Sequence, residues 1–174
     1  CGDMLTEFRA GPLKEVESIV FAARGGNPTD GHWYANFGYY SHDPNRKAYT
    51  EGAKLYRLSL ATRELTALLD DPKGGVRDPQ VGYDGKKILF SYRPGGTEQY
   101  HLYEINADGT GRKQITSGPY DDFEPAYLPD GGIVFVSSRC KRWVNCWLTQ
   151  VAVLHRCDAD GSNLRALSSN NEQD

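Results

Sequence analysis

Two stretches of this sequence repeat each other at a fixed spacing, and that repeat limits the fold more than any other feature. Asp78-Pro79-Gln80-Val81-Gly82-Tyr83-Asp84-Gly85 runs into KKILFSYR, residues 86–93. Glu124-Pro125-Ala126-Tyr127-Leu128-Pro129-Asp130-Gly131 runs into GIVFVSSR, residues 132–139. Pro79 and Pro125, Gly85 and Gly131, and Arg93 and Arg139 each stand 46 residues apart. Downstream, HLYEINADGTGRKQIT (101–116) matches VLHRCDADGSNLRALS (153–168) at a spacing of 52, so six residues are added between Arg139 and Val153. A fainter copy comes first. IVFAAR (19–24) resembles ILFSYR, and KLYRLSL (54–60) with ELTAL (64–68) resembles the later strand pair, with a long insertion between.

The physics of one unit is simple. Proline followed by Asp-Gly gives a short strand that ends in a tight turn, and Asp-Gly favours the positive φ of a two-residue hairpin. ILFSYR is apolar and β-prone, so it reads as a strand buried on both faces. HLYEI is the next strand, NADGTG turns the chain, and RKQIT is the outer strand. Four antiparallel strands at a period near 45 residues describe a propeller blade. The expectation is an all-β chain: a partial β-propeller of about three four-stranded blades. The units cover about 16–70, 76–116 and 122–168, with insertions at 25–52 and 140–150. Eleven Tyr, three Trp and six Phe beside 19 Gly and nine Pro fit many short strands better than helices. After Ser168 the sequence reads SNNEQD, where a fourth blade would begin. The expected partners are therefore further blades of the same polypeptide or other proteins, meeting the open blade edges.

Charge and hydropathy exclude some partners. Net charge is -3, and Lys and Arg are scattered, so no stripe matches a nucleic-acid backbone. No apolar run nears the roughly 20 residues of a transmembrane helix.

Candidate binding residues lie in the two insertions. His32, Trp33, Tyr34, Phe37, Tyr39 and Tyr40 form the most aromatic part of the chain. Clustered aromatics on a loop suit sugar stacking or a protein hot spot, but a loop packed on itself is the simpler reading and the preferred one. His32 and His42 lack the neighbours a metal site needs, and no metal is expected. In the second insertion, Trp143 and Trp147 sit beside Cys140 and Cys146, which flank a short loop and read as a disulfide in an exported protein. Cys157 falls on an apolar strand position and reads as a buried thiol. Cys1, followed by Gly2 and Asp3, reads either as a mature lipoprotein terminus or as a processing boundary. Asp158 to Asn163 imitates a calcium loop, but Ser169 stands where its glutamate belongs, so a hairpin turn is expected. Nucleophile-elbow, zinc-protease and phosphate-loop motifs are absent. Asp121 and Asp122 read as solvated turn residues, so no catalytic residue and no cofactor are expected in this segment.

The repeat resembles the PD40 (WD40-like) unit of TolB-like propellers: P-D-G, then I-x-F-x-S-x-R, then I-Y with a D-G turn, then L-T. Residues 137–174 are more similar to propeller-bearing bacterial proteins related to the hydrazine synthase alpha subunit. That resemblance implies an extracytoplasmic (periplasmic or extracellular) scaffold in a larger, multihaem protein. The sequence departs from a haem protein in having no C-x-x-C-H. Three roles follow: a protein-binding scaffold, the non-catalytic part of a haem or hydrolytic enzyme, or a carbohydrate or cell-envelope binder using residues 32–42.

Overall fold

A computed structural model describes residues 13–24, 51–143 and 150–171, together with residues 4, 6, 7, 10 and 11. The chain is all-β. Three antiparallel sheets follow one another along it. The first contains β1 (Ser18–Ala23), β2 (Lys54–Ser59) and β3 (Leu65–Asp70). The second contains β4 (Gly75–Val81), β5 (Lys87–Arg93), β6 (His101–Asn106) and β7 (Lys113–Gln114). The third contains β8 (Asp122–Tyr127), β9 (Ile133–Ser137), β10 (Val153–Cys157) and β11 (Arg165–Ala166). Each sheet is a meander in chain order, as expected of strands joined by short turns.

The expected turns form, with one correction. Gly82 N donates to Lys87 O and Gly85 N to Gly82 O, so four residues, not two, close the first Asp-Gly hairpin. In the third sheet Leu128 N donates to Gly132 O, which makes that turn one residue shorter. The deletion shifts β9 by one position against the 46-residue alignment. Ile133 and Phe135, not Val134 and Val136, take the places of Ile88 and Phe90: Ile88 pairs with Ile105 as Ile133 does with Cys157. The NADG and DADG turns are alike in detail. Gly109 N bonds Asn106 O and Gly161 N bonds Asp158 O, and both glycines have φ of 89°. Asp108 and Asp160 each accept the backbone N–H two residues on. These are three-residue hairpins whose glycine supplies the left-handed step, and the second is the turn that imitated a calcium loop.

Cores form between sheets. Ala53, Leu55, Leu68 and Leu69 pack on Val76, Ile88, Phe90, Tyr92, Tyr103 and Ile105. On its other face the second sheet sends Leu89, Leu102 and Ile115 against Ile133, Phe135 and Cys157. β5 therefore feeds both cores, with Ile88 and Phe90 to one side and Leu89 to the other, and it is buried from Ile88 to Arg93. Each such fully buried aliphatic or aromatic side chain contributes about 1.5–3 kcal/mol. The described residues of the first sheet form three strands, and β1 occupies the position that β5 and β9 hold in the others.

Candidate functional site

Strand direction sorts the connections onto two faces. Because neighbours are antiparallel, the links β1–β2, β3–β4, β5–β6, β7–β8 and β9–β10 all leave from one end of the sheets. Both insertions, 25–52 and 140–150, are such links. Hydrogen bonds join two of these links at that end. Asp71, in the β3–β4 link, accepts the Tyr92 hydroxyl at 2.7 Å and the Gly95 N–H, in the β5–β6 link, at 2.8 Å.

Beneath this face lies a cluster that the sequence did not disclose. Asp121 and Asp122, expected to be solvated, are both fully buried. Asp121 Oδ1 accepts the buried Tyr100 N–H at 2.9 Å, and Asp121 N donates to Ser138 Oγ at 3.0 Å. Asp122 Oδ2 lies 3.0 Å from an Arg139 guanidinium nitrogen and 3.4 Å from His101 Nδ1. Two carboxylates at the start of β8 thus tie the third sheet to the start of β6 in the second. Asp122 Oδ1 and Arg139 Nε are buried and have no hydrogen-bond partner among the described residues. Arg139 also covers the Tyr120 ring, 4.9 Å from its centroid. The spacing carries a signal in hindsight: position 121 falls 46 residues after Gly75, where a side chain would strike the Tyr100 hydroxyl. In the third sheet Ala152 follows the insertion where Tyr100 stands in the second, so an aspartate fits.

A second cluster joins the inner strands. Arg77 is 4% exposed, with its guanidinium 4.6 Å from the Phe123 ring centroid. Its Nε donates to Asp78 at 2.6 Å, and a terminal nitrogen lies 3.5 Å from Glu124. Asp78 and Glu124 have φ of 54° and 50°, and the pairing shifts register there in both β4 and β8. The same left-handed bulge before Pro79 and Pro125 marks a built feature of the repeat.

Of the predicted binding residues, Trp143 is described and 43% exposed, at the stem of its loop, where it bridges Gln150. His32, Trp33, Tyr34, Phe37, Tyr39, Tyr40, Trp147, Cys146 and Cys1 lie outside the described residues. Cys140 is half-buried and its Sγ donates to Val151 O at 3.2 Å, while its expected disulfide partner is Cys146. Cys157 is a fully buried free thiol, and burial pushes its pKa up to about 11. We expect native chain at pH 8 to leave Cys157 unlabelled by iodoacetamide and unfolded chain to label it fully, read by peptide mass. Equal labelling in both states would contradict the packing of β10 on β9.

His155 is 5% exposed and stacks on Phe135, with Nδ1 2.8 Å from Val153 O, while His101 faces Asp122. Among the described residues, no three His, Cys, Asp or Glu side chains group as a metal site. No described helix is long and apolar enough to cross a membrane.

Comparison with known proteins agrees with this architecture. No family model matches the chain. The structure of a putative TolB from Agrobacterium tumefaciens superposes with a TM-score of 0.55 at 24% identity, over 67% of this chain and 41% of that one. The fold is that of a TolB-like β-propeller. The propeller also matches the structure of hydrazine synthase from Kuenenia stuttgartiensis, with a TM-score of 0.63 at 22% identity. That match covers 81% of this chain and 21% of the other. In sequence, the propeller is 30% identical over 137 residues to hydrazine synthase subunit alpha of the same organism. The aligned part is 76% of this chain, which spans 16% of that curated relative. The three meandering sheets fit that fold as blades.

Proposed function

We propose that this chain is a non-catalytic propeller scaffold of an extracytoplasmic bacterial protein, and that it binds other proteins through the face carrying its long loops. One observation carries the reading: the two longest connections leave from the same end of the blades, above the buried Asp121–Asp122 clamp. A rigid sheet scaffold with its variable loops on one face is a common layout for recognition. Exposed Trp143 at the base of one loop offers a large, stiff contact. The likeness to TolB supports an extracytoplasmic setting.

The test is Trp143→Ala in the intact native protein, with partner recovery measured after purification from the source cells. Recovery should fall about fivefold with the melting temperature unchanged. Unchanged recovery would remove Trp143 and its face from the reading.

The 30% identity to hydrazine synthase subunit alpha favours a second reading, in which the propeller is the non-catalytic part of a larger haem protein. That reading requires C-x-x-C-H motifs elsewhere in the native polypeptide and a Soret band in the purified protein. The third role, carbohydrate or envelope binding, rests on residues 32–42, outside the described residues.

A further inference from the structure

β1 departs from β5 and β9 at its inner edge. Among the described residues it has no inner partner, and it borders a groove of about 290 Å³ against Arg77, Asp78 and Pro79 of β4. Its faces, by contrast, keep the repeat. Each sheet has a leading face, turned toward the sheet before it, and a trailing face, turned toward the sheet after it. On the leading face of the second sheet Ile88 pairs with Ile105 and Phe90 with Tyr103. The same places in the third sheet hold Ile133 with Cys157 and Phe135 with His155. In the first sheet they hold Ile19 with Leu58 and Phe21 with Tyr56. A ring pair recurs in all three, with centroids 5.7 Å apart in Phe21–Tyr56, 6.3 Å in Phe90–Tyr103 and 5.9 Å in Phe135–His155.

The trailing faces repeat as well. Val20 and Leu55 in the first sheet take the places of Leu89 and Leu102 in the second and of Val134 and Leu154 in the third. Ile115 and Leu167 match on the outer strand. Ile115 N donates to Leu102 O and Leu167 N to Leu154 O, while Thr116 Oγ1 and Ser168 Oγ accept the N–H of Leu102 and of Leu154.

What covers a leading face is visible twice: the trailing face of the sheet before it. Val20 and Leu55 pack on Ile88, Phe90, Tyr103 and Ile105. Leu89, Leu102 and Ile115 pack on Ile133, Phe135 and Cys157. Covered in this way, the leading-face residues of the second and third sheets are all buried. The leading face of the first sheet is open: Ile19 is 41% exposed, and Phe21, Tyr56 and Leu58 are half-buried. The trailing face of the third is open too, with Leu154 37% and Leu167 52% exposed. One molecule thus presents one free face of each kind. The second sheet stands between the sheets that carry them, so the two faces point away from each other.

We propose that the leading face of the first sheet docks on the trailing face of the third sheet of a second copy of this chain. The contact is heterologous, head to tail. Made in both directions, it joins two three-sheet chains into a ring of six sheets, within the roughly four to eight of a propeller. Burial of the two matched apolar faces supplies the affinity. Both faces lie on the flanks of the sheets, apart from the loop-bearing end, so failure here leaves the Trp143 reading untouched.

The test is sedimentation velocity on the 174-residue chain. At micromolar concentration the chain should sediment as a dimer. Ile19→Lys and Leu154→Glu, both at exposed positions, should each raise the dissociation constant at least about tenfold with the circular dichroism unchanged. Mixing the two variants should restore the dimer, because one contact is then unmodified and the other sets lysine against glutamate. A monomeric chain would overturn the proposal. So would a dimer that either substitution leaves intact, or variants that stay apart when mixed. A monomeric intact native protein would assign both faces to further blades of its own polypeptide and would equally overturn it.

Discussion

Asp122→Ala should destabilise the chain by about 3 kcal/mol, lowering the melting temperature by roughly 6–12 °C for a domain of this size. Asp122 is fully buried and faces Arg139 at 3.0 Å and His101 at 3.4 Å. Deleting one member of a buried ion pair leaves the other charge poorly solvated, which typically costs 3–5 kcal/mol. The lower end applies because Arg139 is 17% exposed and keeps the Ser117 carbonyl and the Tyr120 ring. Asp122→Asn preserves the shape and one hydrogen-bond acceptor, so it should cost only about 1 kcal/mol. Thermal or urea unfolding of both variants reads the difference. A loss for Asp122→Ala no larger than for Asp122→Asn would mean that the shape and acceptor kept by Asn play no part in joining the sheets.

That cluster is also where sequence reasoning failed, for a physical reason. Two adjacent acids after Gly118-Pro119-Tyr120 have the chemistry of a solvated turn. Their burial comes from the second sheet, whose Tyr100 amide and His101 ring lie 21 residues earlier in the chain. No local pattern encodes that meeting. The strands themselves were legible because their signal is local. ILFSYR and GIVFVSSR are apolar runs bounded by Asp-Gly, and each becomes a central strand. Their relative register was less legible. Matching Arg93 to Arg139 hides the residue missing from the shorter turn at 129–131, and the slip shows only when each side chain is assigned to a face. Ile133 and Phe135 alternate with Val134 and Val136, so one step exchanges the face that meets the second sheet.

The three-strand first sheet has a similar logic. Upstream of Ile19 the sequence has Pro12 but no Asp-Gly between it and the strand. The element that makes β4 and β8 recognisable is therefore missing before β1. The absence of an inner partner for β1 among the described residues and the groove beside it are two views of that single difference.

The second large effect separates two positions that the repeat makes equivalent. Gly109 and Gly161 occupy matching turns with the same φ of 89°. Alanine at either one must adopt a left-handed backbone, at about 1–2 kcal/mol. At Gly109 the nearest atom to an added Cβ is a Leu68 methyl carbon at 3.5 Å, an ordinary contact. At Gly161 the added Cβ would lie well inside contact distance of the Ile115 backbone carbonyl oxygen. That oxygen belongs to the outer edge of the preceding sheet and cannot move without disturbing the bond from Ile115 N to Leu102 O. Overpacking against backbone adds about 1–3 kcal/mol. Gly161→Ala should therefore cost about 2–5 kcal/mol, and Gly109→Ala less than about 2 kcal/mol. Chemical denaturation of the two variants compares them directly. Equal losses would show that the third sheet's turn is not seated on the second, and the packing of consecutive blades described here would then be wrong at that contact.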